Sequence, residues 1–202
     1  MKSFIKLACI YFASAGMCLG ATSLITFDDL APLYNNGFYE NPIPNGYNGL
    51  QWNNFWVLDA VDYFDAPSGY QYGMISAKNV AFNNYGNPAL FSGNGTFDLD
   101  SAYLTAAWND GLQVEVQGFV GNTLTYDNTY TLNTTAASFI NFNYFGVDEV
   151  NFIASGGINH GFYGQGTQFA IDNMTVNLIP EPNLLALASL GAAALLACHR
   201  RK

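Results

Sequence analysis

The sequence has 202 residues, half of them apolar and 16% aromatic, which is enough for one folded domain with its own core and excludes a disordered chain. Its formal net charge is −9, and between residues 22 and 179 a single basic side chain, Lys78, stands against fourteen acidic ones, so this segment repels phosphate and nucleic-acid binding is excluded. The three cysteines lie near the ends, at positions 9, 18 and 198, and the middle of the chain can therefore form no disulfide and no cysteine-metal site.

The first 21 residues have the pattern of a secretory signal peptide. Lys2 and Lys6 form a positive region, the segment 7–19 is apolar, and Gly20 and Ala21 are small residues that suit cleavage. The apolar segment is short for a durable membrane span. Because the flanking lysines disfavour the alternative, a buried N-terminal helix, we expect the chain to be exported.

Residues 22–178 are predicted to form one all-β domain. Apolar and polar residues alternate over short runs, as in LQVEVQGFV, where Leu112, Val114 and Val116 fall on one face and polar side chains on the other. The same pattern occurs in SLITFDDL, NFWVLDAV, NVAFN, TFDLDSAYLTAAW, SFINFNYF, DEVNFIAS and TQFAIDNMTVNL. Turns rich in Gly, Asn and Asp separate these runs, and residues 32–51 are predicted to be a long loop. Eight or nine strands of this kind predict an antiparallel β-sandwich with a jelly-roll topology.

Aspartates near the two ends of this domain are candidate metal ligands. Asp28 and Asp29 end the first predicted strand, and Asp172 lies in the last one. If these terminal strands pair, the carboxylates meet, and oxygen ligands of this kind suit Ca²⁺. We therefore consider a structural calcium ion, completed by backbone carbonyls. The alternative is that these aspartates are solvated or cap loops.

The three tryptophans are candidate sugar-binding residues. Flat aromatic rings stack on the apolar faces of sugars, while Asn and Asp side chains bond the hydroxyl groups. Trp52 and Trp56 lie near a polar loop, and Trp108 precedes the turn Asn109-Asp110-Gly111. For any one of the three, packing in the core or at a strand end is the alternative.

Signatures of catalysis are missing from the sequence, which contains no H-E-x-x-H, no G-x-S-x-G and no phosphate-binding glycine loop. His160, the only histidine between residues 22 and 179, lies in the glycine-rich segment GGINHGFYGQG and is expected to be a solvated loop residue. Fourteen acidic residues would supply the carboxylate pair of a glycosidase, but the sequence singles out no pair. The prediction is a protein that is not an enzyme, with a small secreted glycan-active hydrolase as the alternative.

The C-terminal segment, residues 179–202, combines three features. Pro180, Glu181 and Pro182 keep the chain extended, residues 184–198 are apolar, and His199 is followed by Arg200, Arg201 and Lys202. As a helix the apolar stretch would span roughly 22 Å, short of the ~30 Å hydrocarbon core. The basic cluster holds this end on the cytoplasmic side. The sequence thus predicts a domain outside the cytoplasm, anchored transiently in the inner membrane.

This order of Pro-Glu-Pro, short apolar helix and basic terminus resembles the PEP-CTERM sorting signal of Gram-negative bacteria. The resemblance implies that an exosortase-type membrane enzyme recognises Pro180-Glu181-Pro182, with Arg200 and Arg201 as part of the signal, and removes the tail. A plain C-terminal anchor, in which the prolines serve only as a linker, is the alternative.

The strand segments ITFDDL, AYLTAAWNDGLQVEVQGF, GVDEVNFIASGG and FAIDNMTV are similar to the galactose-binding-like jelly-roll modules found in many PEP-CTERM proteins. Together the two resemblances imply a structural or carbohydrate-associating protein of the cell envelope or extracellular matrix, linked to exopolysaccharide or biofilm. A polysaccharide is then the expected partner beside the exosortase.

Overall fold

The structure, a computed structural model, describes residues 20–35, 38–63 and 65–180. The predicted signal peptide, apart from its last two residues, and the sorting signal beyond Pro180 lie outside these residues, so both stay predictions. Within the described ranges, no helix has the length and apolar character needed to cross a membrane.

Eleven strands form in the described residues, and every ladder between them is antiparallel. The strands are β1 (Ala21–Ile25), β2 (Tyr34–Asn35), β3 (Phe38–Pro42), β4 (Leu50–Asn53), β5 (Phe55–Asp59), β6 (Asn79–Asn83), β7 (Ala89–Ala106), β8 (Asn109–Val120), β9 (Thr123–Leu132), β10 (Ser138–Asn159) and β11 (Phe169–Leu178). The single α-helix of these residues is α1 (Gly69–Gly73), and 3₁₀ turns occupy Tyr47–Gly49 and Asn84–Gly86. The predicted all-β antiparallel class is confirmed.

The two longest strands, β7 and β10, belong to both layers of the sandwich. In the first layer, the strand order is β2-β3-β5-β6-β11-β7-β10, and β1 also pairs with β11. In the second layer, the first residues of β7 pair with β4, and residues 149–159 of β10 pair with β8, which pairs with β9. Register shifts between residues 141 and 149 of β10 bend it from one layer into the other.

The segment 32–51, predicted as a long loop, contains β2, β3 and the first two residues of β4 instead. β3 pairs with β5, with Glu40 opposite Leu58, and so extends the edge of the first layer. Its sequence FYENP lacks an apolar alternation because only an edge strand is needed there, and Pro42 is tolerated at the strand end. The pairing depends on β5, which lies outside this segment, so the local sequence does not predict β3.

The main core lies between the two layers. Leu112, Val114 and Val116 of β8 are fully buried in it, as their alternation predicts. A second apolar cluster covers the opposite face of the first layer, where Leu58 and Phe82 pack under the segment 60–78. Helix α1 of that segment begins at Gly69, where an added Cβ would overlap the carbonyl oxygen of Ala106, so the close approach requires glycine.

Candidate functional site

The terminal strands are neighbours, as the calcium hypothesis requires. β1 pairs with β11, with Ile25 opposite Met174, and this pairing brings Asp28 and Asp172 to the same segment, residues 75–79. Asp172, which is fully buried, accepts hydrogen bonds from the backbone N–H groups of Ile75 (2.7 Å) and Ser76 (2.8 Å) and from the Ser76 hydroxyl (3.0 Å). The carboxylate therefore anchors the segment that covers the second cluster.

Asp28 binds the next residues of the same segment. Its carboxylate accepts hydrogen bonds from the N–H groups of Ala77 (3.2 Å), Lys78 (3.0 Å) and Asn79 (3.1 Å). The Asn79 amide in turn donates to the carbonyl oxygen of Phe27 at 2.9 Å. Burial by itself would raise the pKa of Asp28, but the hydrogen bonds from Lys78 and Asn79 lower it overall.

Asp28 and Asp172, two of the three predicted metal ligands, thus anchor the segment 75–79 through hydrogen bonds. Asp29 lies apart from the segment 75–79 and accepts a hydrogen bond from the Tyr47 hydroxyl at 2.5 Å. Burial raises the pKa of Asp172, and the N–H groups of Ser76 and Ile75 oppose that rise. In the part of the chain that the structure describes, no three His, Cys, Asp or Glu side chains are grouped to hold a metal ion. A calcium ion shared by Asp28, Asp29 and Asp172 stays a prediction.

Two of the three candidate tryptophans are buried. Trp52 is 6% exposed and packs in the main core against Phe27, Phe55 and Phe91, and its indole N–H donates to the carbonyl oxygen of Tyr47 at 3.0 Å. Because both ring faces are covered by protein, Trp52 offers no platform to a sugar in this structure.

Trp108 is 3% exposed and belongs to the second cluster, where its ring contacts Tyr63 and Tyr70. Gly164 lies against it, and an added Cβ there would come within 2.5 Å of the indole ring. The loop between β10 and β11 therefore packs on Trp108 and covers it. Trp56 is half-buried and packs at the margin of the same cluster, so of the three it alone keeps part of its surface exposed.

Near Trp108, ring contacts and a hydrogen bond link Tyr72, Phe162, His160 and Asp110, and Tyr163 follows Phe162 in the same loop; we call these five residues the loop-end cluster. They come from α1, from the start of β8 and from the loop between β10 and β11. The ring of Phe162 contacts His160 at 4.4 Å between centroids and lies nearly parallel to the ring of Tyr72 at 6.2 Å. Three chain segments thus meet at one end of the sandwich.

A hydrogen bond between His160 and Asp110 fixes the polar part of this cluster. His160 Nδ1 lies 2.5 Å from Asp110 Oδ2, while the other carboxylate oxygen accepts bonds from the backbone N–H (2.9 Å) and hydroxyl (2.8 Å) of Thr134. These contacts, the one with His160 first, lower the pKa of Asp110 to about 2. His160 is partly exposed, as predicted for a loop residue, but its ring is held in place rather than free.

The loop itself is shaped by Asn159. Its side-chain oxygen accepts the N–H of Gly161 at 2.7 Å, and its amide donates to the carbonyl oxygen of Gly164 at 3.1 Å. The backbone N–H of His160 donates to the carbonyl oxygen of Trp108 at 2.9 Å. At the other end of the loop, the carbonyl oxygen of Gln168 accepts the backbone N–H of Ala107 at 2.9 Å, so both ends are tied to the residues that join β7 to β8.

The cluster presents aromatic surface to solvent. Tyr163 is 88% exposed and Tyr72 is 45% exposed, whereas Phe162 is half-buried against the second cluster. Exposed rings beside a held carboxylate and imidazole provide both apolar faces and hydrogen-bonding groups, which is the combination that binds sugars.

The lowered pKa of Asp110 predicts how the stability of the loop-end cluster depends on pH. Since the folded-state pKa lies below the ordinary ~3.9 of aspartate, its hydrogen bonds stabilise the cluster above about pH 4 and are lost as the pH falls through about 2. We expect the NMR chemical shift of the Thr134 amide to titrate with a midpoint of about 2. In Asp110→Asn this titration should disappear, and a wild-type midpoint at or above the ordinary value would contradict the stabilising contact.

Sequence patterns did not single out four of the five cluster residues. Tyr72, Phe162 and Tyr163 carry no motif, and Asp110 stands out only as part of the turn Asn109-Asp110-Gly111. The available signal was compositional, because GGINHGFYGQG places a histidine and two aromatic residues in a glycine-rich loop, where a core role is unusual.

No known protein-family profile and no curated protein sequence matches the chain. Among solved structures, TmCBM61 in complex with β-1,4-galactotriose is 7% identical with a TM-score of 0.34, and the match covers 66% of this chain and 93% of that one. The family 32 carbohydrate-binding module of C. perfringens NanJ, in complex with galactose, is 14% identical with a TM-score of 0.36, covering 69% and 99%. A CBM4 structure is 19% identical with a TM-score of 0.33, covering 71% and 97%. At these TM-scores the likeness identifies neither a family nor a ligand for this chain.

Proposed function

We propose that the chain is an exported, non-catalytic protein of the cell envelope or extracellular matrix whose β-sandwich associates with carbohydrate through the loop-end cluster. The observation that carries the proposal is the exposure of Tyr163, in the loop that carries His160, and of Tyr72, which is linked through Phe162 to the Asp110–His160 pair. The rings are supplied by segments that Trp108 and Asn159 hold in place, so a sugar meets a preformed surface.

Charge narrows the class of glycan. The segment 22–179 has a net charge of −13, and Lys78, its only basic side chain, forms an ion pair with Asp59 at 2.6 Å. Uronate-rich or sulfated polysaccharides would be repelled by this surface. The proposed ligand is therefore a neutral polysaccharide, as in an uncharged exopolysaccharide or biofilm matrix.

Export and sorting rest on the terminal sequences. The signal-peptide pattern of residues 1–21 and the PEP-CTERM-like tail of residues 179–202 support delivery across the inner membrane of a Gram-negative bacterium, followed by exosortase processing at Pro180-Glu181-Pro182. The intact mass of the protein recovered from the envelope and medium, compared with a variant in which these three residues are alanine, tests this part.

Binding is tested by retention on insoluble neutral polysaccharides. For the full chain, Tyr163→Ala is expected to weaken retention about threefold to tenfold, because one stacked ring contributes about 0.5–1.5 kcal/mol. The matched control is Phe145→Ala, which removes a ring that is 57% exposed on β10 outside the loop-end cluster. Equal loss of retention in both variants, or none in either, would argue against the cluster as the binding surface.

A glycan-active hydrolase remains the alternative, and one observation favours it. Burial raises the pKa values of Glu40 and Asp65, and Tyr63, whose own pKa is raised first by burial and then by these two carboxylates, lies near both. A raised carboxyl pKa is the direction of shift that suits a general acid. Release of reducing sugar by the wild type, and its loss in Glu40→Gln, would establish the hydrolase and replace the non-catalytic proposal.

A further inference from the structure

The strand β9 (Thr123–Leu132) ends the second layer and leaves one of its edges open. Within the described residues it pairs only with β8, so the backbone groups along its other edge have no strand partner there. Open edges of ten residues are uncommon in soluble proteins, which usually protect them with lysine, proline or a covering segment. β9 contains neither lysine nor proline, and its single charged residue is Asp127.

The sequence of this strand is close to a palindrome. Residues 124–132 read LTYDNTYTL, so that leucine, threonine and tyrosine recur in mirrored order on either side of Asn128. Leu124 matches Leu132, and Tyr126 matches Tyr130. The mirror order fails at one pair of positions, where Asp127 corresponds to Thr129.

A mirrored strand is complementary to itself in antiparallel pairing. In a two-fold symmetric dimer each residue meets its mirror position on the partner, so Asn128 would face the partner's Asn128 and Tyr126 the partner's Tyr130. Matched aromatic and threonine pairs across strands are stabilising. The single mismatch places Asp127 opposite the partner's Thr129, whose hydroxyl is able to donate to the carboxylate, and so keeps the two Asp127 side chains from facing each other.

The structure holds this edge in a conformation ready for pairing. The register with β8 is regular from Tyr126 to Leu132, and its one shift lies between Leu124 and Tyr126, so the central mirrored residues 126–130 lie in regular strand. On the inner face, Tyr126 stacks on Tyr144 at 4.5 Å, and the Asn128 amide donates to the Tyr144 hydroxyl at 2.9 Å. On the outer face Asp127, Thr129 and Thr131 are exposed.

We propose that a second copy of this chain occupies the open edge, so that two β9 strands pair antiparallel about Asn128 and join the second layers of both molecules into one sheet. The low charge of β9 supports this occupant. Two copies of a segment with a net charge of −13 repel each other over most of their surface, and β9 offers a ten-residue strip with one carboxylate. The inference does not depend on carbohydrate binding.

Charge changes at position 129 test the proposed register. Thr129→Asp would place a carboxylate opposite the partner's Asp127, whereas Thr129→Lys would place an ammonium group there. In sedimentation of the full chain over a wide range of protein concentration, we expect the aspartate to weaken dimerisation by at least about tenfold and the lysine to strengthen it. Thr135→Asp and Thr135→Lys make the same charge changes at an exposed position beyond the strand and should leave the dimer unchanged.

A further variant, with unfolding measurements on every variant, separates changes in dimerisation from changes in folding. Asp127→Thr makes the mirror order exact and removes the only charge of the strand, so it should tighten the dimer, while unfolding midpoints confirm that each variant is folded. A wild-type chain that sediments as a monomer at all concentrations would overturn the proposal. So would equal responses to charge at positions 129 and 135, which would reflect net charge alone.

Discussion

Replacing Phe152 with alanine is expected to lower the free energy of unfolding by about 3–5 kcal/mol, the usual result for a large aromatic residue removed from a packed core. Phe152 is fully buried in β10, and its ring contacts Phe55 (5.5 Å), Phe91 (5.8 Å) and Phe169 (5.8 Å). Since these neighbours come from three other strands in both layers, the cavity cannot close by a local shift. Denaturant unfolding of wild type and variant measures the difference.

The control lies on the same strand. Phe145→Ala removes the same atoms from a side chain that is 57% exposed, and it is expected to change the free energy of unfolding by less than about 1 kcal/mol. Similar losses in both variants would mean that β10 does not carry the core of the sandwich, contrary to the observed packing.

Replacing Asp172 with alanine is expected to lower the free energy of unfolding by about 3 kcal/mol or more. The substitution leaves the N–H groups of Ile75 and Ser76 and the Ser76 hydroxyl without their acceptor in a partly buried site, and each unsatisfied donor costs about 1–3 kcal/mol unless water reaches it. Because these two N–H groups lose their acceptor, hydrogen exchange should also quicken at Ile75 and Ser76, which follow Met74 of the second cluster. Both the unfolding free energy and these exchange rates are to be measured.

Two comparisons separate lost hydrogen bonds from lost charge. Asp172→Asn keeps one acceptor oxygen, so its free energy of unfolding should lie between those of the wild type and the alanine variant. Asp62→Ala removes a carboxylate from an exposed position and is expected to stay within about 0.5 kcal/mol of the wild type. An alanine variant at position 172 as stable as Asp62→Ala would show that Asp172 does not anchor the segment.

Because Trp52 and Trp108 are buried, the aromatic surface that a glycan could reach lies elsewhere. Residue type suggested Trp52 and Trp108 as stacking platforms, yet one fills the main core and the other supports a loop from below. Trp108 supports the proposed surface through Gly164, which lies against its ring, and through its carbonyl oxygen, which accepts the N–H of His160. Aromatic surface for a sugar is offered instead by tyrosines, Tyr72 and Tyr163, that stand outside the cores.

Predictability of the site differs from residue to residue. That Asp28 and Asp172 lie near the same place followed from the pairing of the terminal strands, since Asp28 follows β1 and Asp172 lies in β11. What they bind did not follow, because the N–H groups of residues 75–79 reach them over more than 45 residues of sequence. Asp110 and His160 lie 50 residues apart and meet only because β8 and β10 are neighbours in the second layer.

The sequence by itself determined the all-β antiparallel class and the inward faces of strands such as β8, because the period of two is a local property and burial of one face follows from it. It also carries the mirrored order of β9, which needs no structure to be seen. Only the tertiary structure decided that β9 is an edge, that β3 pairs with β5, and that the two clusters take up Trp52 and Trp108. These outcomes depend on which strands become neighbours, and that choice is made by the packing of the whole chain rather than by any short segment of it.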